Sequence, residues 1–445
     1  MKLKTSIAIT LGRLANTILS KRGGGSSFPG KLAEKIDKDI LKNLSSTYDV
    51  IMVTGTNGKT LTTTLISNII RLRDGSVLTN PTGANLRQGV ITSFITSPDR
   101  KQAKVAVLEI DEATLKYITP HIKPKFIVFT NVFRDQMDRY GEIYTTYGEM
   151  VKGASFAQEA MIIANGDLPI FNSGDLANPI QFYGFNHIED GEFSVNPNTD
   201  GILCPKCEHI LRYKKITYAN QGKYYCPNCE FKRPDLTYEL NRINRLTIQD
   251  ANFTIGDTEF HLPVAGVYNL YNALAAYSVA KAMDIDDALI KQGFEEVNKV
   301  FGRQEVVKIG KKDLILNIMK NPVGVNQLID LISLEKDPFS LFILLNDRPA
   351  DGTDVSWIWD GKFEELLSQA DRPVLISGLR ADDLKQRIEV CGLTDEEILV
   401  EKNLNEITRC LQNLPNKKVY VLATYTAMLD LRKVFKEEGF LVEDN

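Results

Sequence analysis

The stretch Thr54-Gly55-Thr56-Asn57-Gly58-Lys59-Thr60 lies between two segments of different apolar periodicity. Val50 to Val53, before it, is a short apolar run typical of a buried parallel strand. Leu61 to Leu72, after it, has the apolar spacing of a helix. Glycines let backbone N–H groups turn toward an anion, and a helix N-terminus adds a positive dipole end. The stretch therefore predicts a parallel α/β fold with an anion site at this turn.

Two side chains of this loop predict a nucleotide with a magnesium ion. Lys59 is placed to reach the terminal phosphates, and Thr60 to place its hydroxyl on Mg²⁺. Gly55 lies only three residues before Gly58, so the loop is a shorter variant of the usual pattern. A glycine-rich turn with a chance lysine is the alternative. The predicted cofactor-binding residues of the loop are Thr56, Asn57, Gly58, Lys59 and Thr60.

Length and composition exclude several classes of protein. With 445 residues the chain can form two or three domains, and 43% hydrophobic and 25% charged residues are ordinary for a soluble globular protein. A net charge of −4 gives no support for broad nucleic-acid binding. No apolar run is long enough to predict a transmembrane segment. Ser6 to Leu19 predicts an amphipathic helix and not a signal peptide, because Arg13 interrupts it and no small-residue cleavage site follows.

The order of predicted elements indicates three regions. Residues 1–47 are expected to form an N-terminal helical arm, with a second helix over Lys31 to Leu44. A glycine-serine run from Arg22 to Gly30 is either a flexible linker or a binding loop rich in backbone groups. Residues 48–304 alternate strand and helix, as a central parallel-sheet domain requires, and 305–445 repeat that alternation in a C-terminal α/β domain.

Acidic residues follow two predicted strands of the central domain. The stretch from Leu108 to Glu112 comes after one strand, and the stretch from Phe129 to Asp138 after the next. Open α/β sheets bind ligands at this carboxyl edge, where carboxylates can hold Mg²⁺ against phosphates. Glu109 is the first choice as a metal ligand, and Asp135 could contact metal or ribose. The other acids can equally be solvated loop residues.

Four cysteines have the spacing of a structural zinc site. Cys204 and Cys207 form one Cys-x-x-Cys knuckle, eighteen residues separate it from the next, and Cys226 and Cys229 form the second. Four thiolates complete a tetrahedral shell and leave no position for catalytic water. We expect a zinc ribbon inserted over about residues 201–232, which fits a reducing cytosol. Acidic neighbours of the knuckles and the missing basic footprint argue against a nucleic-acid role.

Three further segments carry candidate site residues. Asn269 and Asn272 open an alanine-rich helix, where their amides can cap the helix or bind a purine edge. Arg303 is a candidate phosphate contact. The stretch from Asn346 to Asp360 holds both tryptophans and four aspartates, which suggests either a functional site or a capped helix start with buried tryptophans. Cys391 and Cys410, and the four histidines, show no nucleophile or metal pattern.

These residues resemble the Mur ligase superfamily, the ATP-dependent enzymes that join amino acids to peptidoglycan precursors or folates. The matching segments occur in the family's order and are Gly55–Thr60, Glu109, Thr130–Asp138, Gly266–Asn272 and Gly302–Arg303. The resemblance implies ATP and Mg²⁺ as cofactors, with Lys59 and Glu109 in catalysis. It implies Thr60 and Glu109 as magnesium ligands, Asn272 beside the purine and Arg303 beside phosphate.

The chain also departs from the superfamily pattern at three places. Asp135-Gln136 stands where most members have Asp-His, so one metal ligand is altered. The family's carbamylated lysine would fall near Met150, and Lys152 is out of place, so this feature is expected to be absent. Asn317 to Pro322 stands where the family has Asp-x-Ala-His-Asn-Pro, which indicates a remodelled amino-acid site consistent with ammonia as the nucleophile.

The zinc knuckles together with Asp351 to Trp357 resemble the branch of the superfamily that amidates lipid II. This resemblance implies phosphorylation of the α-carboxyl of D-glutamate by ATP and displacement of phosphate by ammonia. It implies a heterodimer with a GatD-like class I glutaminase, whose catalytic triad Asp354 would complete, with Asp351 and Asp347 as alternatives. It also implies a cytoplasmic protein that acts at the inner face of the cell membrane without a transmembrane segment.

Two other functions stay open from the sequence. One is a conventional ligase that adds an amino acid to a peptidoglycan precursor or folate, against which the altered Asp-His pair and the missing lysine argue. The other is a nucleotide-dependent binding module that uses its zinc ribbon to hold a partner or nucleic acid. ATP turnover that depends on lipid II and ammonia separates the three.

Overall fold

The computed structural model describes residues 3–20, 27–80, 83–134, 143–186, 201–297 and 303–441. The chain divides into two compact units, of which the first ends at Val297 and the second holds the chain from residue 303 onward together with Arg134. None of the helices in these ranges is both long and apolar enough to cross a membrane. The three domain boundaries expected above stay predictions.

The first unit contains one mixed sheet with helices around it and a separate two-stranded ribbon. Its strands are Asp49–Thr54 (β1), Leu78–Thr79 (β2), Val105–Glu109 (β3), Phe126–Phe129 (β4), Met161–Asn165 (β5), Ile180–Phe185 (β6), Arg212–Tyr218 (β7), Gln221–Tyr225 (β8), Tyr238–Leu246 (β9), Ala251–Ile255 (β10) and Thr258–Leu262 (β11). Its helices are Leu3–Ser20 (α1), Phe28–Ile36 (α2), Ile40–Ser45 (α3), Lys59–Asp74 (α4), Arg87–Thr96 (α5), Leu115–Ile118 (α6), Ile143–Ser155 (α7), Val267–Ala282 (α8) and Asp287–Glu295 (α9).

The order of the sheet brings the predicted site segments together. Among the described strands it runs β11-β10-β9-β6-β5-β4-β1-β3-β2, parallel from β9 to β2 and antiparallel across β9, β10 and β11. Val50 to Val53 of β1 are buried, as an inner parallel strand covered on both faces requires. Val53 pairs with Glu109 of β3, and Thr54 with Phe129 of β4. The carboxyl ends of these three strands therefore lie side by side beneath the glycine loop.

The N-terminal arm differs from its prediction in one respect. The single helix expected over Lys31 to Leu44 is two helices, α2 and α3, separated at Asp37. The buried Asp37 carboxylate accepts hydrogen bonds from the Thr5 hydroxyl at 2.6 Å and the Asn43 amide at 3.1 Å. It also accepts the Asp39 backbone N–H at 3.1 Å. A local side-chain acceptor here competes with helix continuation, which periodicity alone does not show.

A two-stranded antiparallel ribbon carries the cysteine knuckles. Strands β7 and β8 pair from Arg212 with Tyr225 to Tyr218 with Gln221. Tyr213 and Tyr224 are buried and meet edge to face, with ring centroids 6.2 Å apart. Their packing against the cysteines gives this small insertion a core of its own.

The second unit repeats the α/β plan around its own core. Its strands are Arg303–Ile309 (β12), Lys312–Ile318 (β13), Ser340–Leu344 (β14), Asp371–Ser377 (β15), Ile398–Val400 (β16) and Lys418–Ala423 (β17), in the order β12-β13-β17-β14-β15-β16. Its helices are Pro322–Ile332 (α10), Phe363–Leu367 (α11), Ala381–Val390 (α12), Ile407–Asn413 (α13) and Tyr425–Glu437 (α14). The described strands pair in parallel except β12 with β13, so the second sheet is also chiefly parallel.

Candidate nucleotide site and cysteine cluster

The glycine loop is held in shape by the segment that follows β4. Asn131 accepts the Thr56 N–H through its carbonyl at 2.9 Å and the Asn57 N–H through its side-chain oxygen at 2.8 Å. The Thr130 hydroxyl and the Asn131 amide donate to the Asn57 carbonyl at 2.9 and 3.0 Å. The Thr56 hydroxyl bonds the backbone of Phe133. The loop is thus fixed before any ligand binds, as an anion-binding turn requires.

Glycine is required at two positions of the loop, both by the backbone conformation and by the lack of room for a Cβ. Gly55 and Gly58 have φ of +134° and +84°, values that favour glycine. A Cβ on Gly58 would lie 2.0 Å from Oδ1 of Asn272, and one on Gly55 would lie 2.2 Å from the Thr130 hydroxyl. The structure thereby brings Asn272 of α8 directly against the loop.

Lys59 begins α4 and lies partly buried among acceptors. Its ammonium donates to the Gly55 carbonyl at 2.5 Å, to the Thr56 carbonyl at 3.3 Å and to the Glu112 carboxylate at 3.1 Å. Burial alone would lower the pKa of Lys59, but three neighbouring carboxylates, Glu112 foremost, more than offset this and leave the pKa raised. Lys59 is therefore a fixed positive charge at the mouth of the loop.

The two predicted magnesium ligands contact each other. The Thr60 hydroxyl donates to Glu109 at 2.8 Å, and the Asn85 amide donates to the other Glu109 oxygen at 3.2 Å. The backbone of Glu109 is held by Asn80, which exchanges two hydrogen bonds with it at 2.8 and 2.9 Å. A hydroxyl and a carboxylate beside a phosphate loop are hard oxygen donors of the kind that Mg²⁺ prefers, so the donor set fits this ion.

The two asparagines of α8 are buried and bonded to each other. The Asn272 amide donates to Asn269 at 3.2 Å, and the Asn269 amide donates to the Ala265 carbonyl at 2.7 Å. The Asn269 side chain therefore bonds the segment that precedes α8, whereas Asn272 faces the loop. The contact of Asn272 with a purine stays a prediction.

For several predicted site residues the placement at the site stays a prediction. Asp135, Gln136 and Asp138 lie outside the described residues, and so does Gly302. Arg303 begins β12, and its phosphate contact stays a prediction. Met150 is buried in α7 and Lys152 is exposed, and the absence of a modified lysine stays a prediction.

Sequence reasoning missed two residues of the site, Glu112 and Asn85. Glu112 lies in the acidic stretch after β3, but nothing in the sequence distinguishes it from the neighbouring acids. Asn85 lies between β2 and α5 in the sequence and shows no pattern of its own. Both are positioned by the pairing of β3 with β1 and β2.

The four knuckle cysteines converge on one point. Their sulfur atoms all lie within 4.8 Å of one another, and the thiols are free. The distance is 3.7 Å from Cys204 to Cys229, 3.4 Å from Cys207 to Cys226, and 3.5 Å from Cys207 to Cys229. Tetrahedral zinc with bonds of about 2.3 Å to sulfur has neighbouring sulfurs about 3.8 Å apart. The cluster thus fits a closed Cys₄ metal site.

Three aspartates of the acidic turn after β14 have different surroundings. Asp351 is buried and accepts the Thr426 and Arg348 backbone N–H groups at 2.7 and 3.2 Å. Asp347 pairs with Arg380 at 3.0 Å. Asp354 is exposed, with one oxygen accepting the Ser356 N–H at 2.8 Å. Of the three, Asp354 is the carboxylate that faces solvent without an ion pair among the described residues.

Two family sequence models match the chain. The Mur ligase middle domain matches residues 53–280, and the MurT ligase C-terminal domain matches residues 318–428. The MurT subunit of lipid II isoglutaminyl synthase (glutamine-hydrolyzing) from Streptococcus pneumoniae is 45% identical over 98% of this chain and 97% of the relative.

The chain belongs to the MurT family.

Other comparisons agree with this assignment. The MurT subunit from Staphylococcus aureus is 34% identical over 89% of this MurT-family chain and 90% of the relative. A pseudomurein peptide ligase type C from Methanothermus fervidus has a TM-score of 0.68 at 21% identity, with 92% of this chain and 84% of that one covered. MurF ligase from Thermotoga maritima, in complex with ADP, has a TM-score of 0.61 at 15% identity, with 91% and 84% covered. The last two show the fold alone, and with the family models they confirm the predicted Mur ligase fold.

Proposed function

We propose that this MurT-family chain amidates the D-glutamate α-carboxyl of lipid II to D-isoglutamine, in peptidoglycan synthesis. The observation that carries the proposal is the group formed by Lys59, Thr60 and Glu109 at one sheet edge, in a chain 45% identical to a lipid II isoglutaminyl synthase subunit. Thr60 and Glu109 would hold Mg²⁺, which neutralises phosphate charge when bound.

The proposed reaction has two displacements. A carboxylate oxygen of the substrate attacks the γ-phosphorus of ATP, the bond to the β-phosphate oxygen breaks, and ADP leaves. Ammonia then attacks the carbonyl carbon of the acyl phosphate, phosphate leaves, and the new amide loses a proton. Lys59 contributes a fixed cation beside the phosphates, while the hydrogen bonds of Asn131 to Thr56 and Asn57 hold the loop in the shape that positions this cation.

The nitrogen would come from a partner subunit. The relatives' name describes one subunit of a glutamine-hydrolysing synthase, and this supports a heterodimer with a class I glutaminase of the GatD kind. The exposed Asp354 carboxylate is the one we assign to the partner's catalytic triad, where it would orient a histidine.

The test measures ATP consumption by the purified chain with lipid II and ammonium. We expect phosphate release to require both, and Lys59→Ala to lower it by about 10²-fold or more, because a charge facing the phosphates is lost. The loop is anchored by Thr130 and Asn131, so circular dichroism of the variant should match that of the parent.

Lys152→Ala is the matched control, since this lysine is exposed on α7 and stands outside the site. It should leave the rate unchanged. Phosphate release that is supported by a free amino acid and not by ammonium would favour the conventional ligase. A rate independent of Lys59 would overturn the assignment of the loop.

A further inference from the structure

Helix α1 presents an aliphatic stripe to solvent. Leu3, Ile7, Leu11, Leu14 and Ile18 are between 40% (Leu11) and 78% (Leu3) exposed. At 3.6 residues per turn these five positions fall within an arc of about 80°. The helix has 18 residues and is about 27 Å long, so the stripe runs along its whole length.

The opposite face of α1 holds the helix firmly on the first unit. Ala8, Ile9 and Thr5 are buried, and a Cβ on Gly12 would lie 3.2 Å from a side-chain carbon of Ile95. The Arg13 guanidinium donates to the Ile95 carbonyl at 2.8 Å. The stripe is therefore the outer face of a docked helix and not the inner face of a loose one.

A basic cavity adjoins this helix. It has a volume of about 340 Å³ and is lined by Arg13 from α1 and by Arg100 and Lys101 from the segment after α5. Its other lining residues are uncharged. Arg13 and Arg100 line the same cavity, and burial first, and then the charge of Arg13, lower the pKa of Arg100. An anion in the cavity would offset this unfavourable effect of one positive charge on the other.

We propose that α1 and this cavity form a surface that docks on an anionic phospholipid bilayer. The aliphatic stripe would enter the acyl boundary, and the cavity would receive a lipid phosphate. Three cations around one cavity contrast with the net charge of −4 of the chain, which favours an anionic partner locally. This proposal goes beyond the amidation chemistry, because binding to vesicles is measured without turnover.

The experiment is co-sedimentation of the full-length chain with lipid vesicles. We expect binding to vesicles of phosphatidylcholine with phosphatidylglycerol, and about tenfold weaker binding to phosphatidylcholine alone. The double variant Leu14→Glu, Ile18→Glu should lower the partition coefficient by about tenfold or more. The double variant Arg100→Gln, Lys101→Gln should lower binding to the anionic vesicles by about tenfold and weaken its dependence on salt.

Matched controls lie on the second unit. Val390→Glu changes an apolar residue that is 68% exposed, and Arg409→Gln, Lys433→Gln removes two exposed cations, so neither should alter vesicle binding. Unfolding temperatures should be unchanged, because Leu14 and Ile18 face solvent and the changed cations line an open cavity. Absence of vesicle binding by the parent chain overturns the proposal. So does a concentration-dependent dimer that Leu14→Glu, Ile18→Glu abolishes, since the stripe would then cover a second copy.

Discussion

At the residue scale the site depends on close approaches to a few atoms. Asn272 fills the space where a side chain at position 58 would stand, and Glu112 neutralises Lys59. A largely covered lysine without a counter-charge would be costly, and Glu112 supplies that charge while no phosphate is bound. Both contacts join residues far apart in the chain.

Gly58→Ala should therefore disturb the loop in two ways, through the strained backbone conformation and through the clash of the new Cβ with Asn272. Gly75 ends the same helix with φ of +79° and has nothing within 4 Å of an added Cβ, so Gly75→Ala is a matched control. The left-handed conformation costs each variant about 1–2 kcal/mol. Only Gly58→Ala should also weaken nucleotide binding, by about tenfold or more, as measured by calorimetry. Equal nucleotide affinities in the two variants would contradict the close approach of Asn272.

Asp354→Asn should slow amidation with glutamine as the nitrogen source and spare amidation with free ammonium. An asparagine cannot stabilise the partner's imidazolium, so glutamine-dependent amidation should fall by up to about 10⁴-fold, the loss known when a triad aspartate is replaced. Activity with free ammonium should persist, because Lys59 and Glu109 are untouched. The measurement is a lipid II amidation assay of the complex with each source.

Asp382→Asn is the control for this comparison, since Asp382 is an exposed carboxylate on α12 that pairs with Lys402. It should leave both rates unchanged. If Asp354→Asn loses both activities equally, the aspartate serves the synthetase site or the fold. If it loses neither, Asp351 is the next residue to test.

At the element scale the cysteine ribbon illustrates how little core a small insertion can bury. Its buried core consists of one leucine, two tyrosines and one phenylalanine packed on the cysteines. Such a small core needs additional stabilisation, and a metal bound by all four cysteines provides a cross-link between the two knuckles.

Metal analysis of the purified chain should find one tightly held zinc. Cys204→Ser, Cys207→Ser should lose it and lower the free energy of unfolding by about 3 kcal/mol or more, a fraction of the about 10–16 kcal/mol that structural zinc contributes in isolated fingers. Cys410→Ser is the control, because Cys410 lies outside the cluster. A double variant that is free of metal yet equally stable would contradict a structural role.

At the scale of the whole molecule, the two cysteines that the structure describes outside the ribbon, Cys391 and Cys410, are not activated thiols. Burial raises the pKa of Cys391 to about 11 and also raises that of Cys410. A glutaminase nucleophile needs a lowered thiol pKa and a nearby base. These two thiols lack the first requirement, which supports the proposal that glutamine is hydrolysed by a partner.

The sequence by itself determined the local features of this protein. The strand-loop-helix unit at residues 50–72, the alternation of strands and helices, and the two cysteine knuckles follow from short-range periodicity and spacing. The family and the Mur ligase fold predicted from them are confirmed by the comparisons. The site residues and the domain boundaries stay predictions that the experiments above address.

The tertiary structure alone decided how distant segments meet. Sheet order sets β3 beside β1, and this pairs Glu112 with Lys59 across 53 positions of sequence. Packing of α8 against α4 sets Asn272 near Thr62, 210 positions away. Asp37 lies between α2 and α3, where its carboxylate accepts hydrogen bonds from Thr5, 32 positions away, and from Asn43. Such contacts depend on which elements are neighbours in space, and the periodicity of a single segment carries no information about its neighbours.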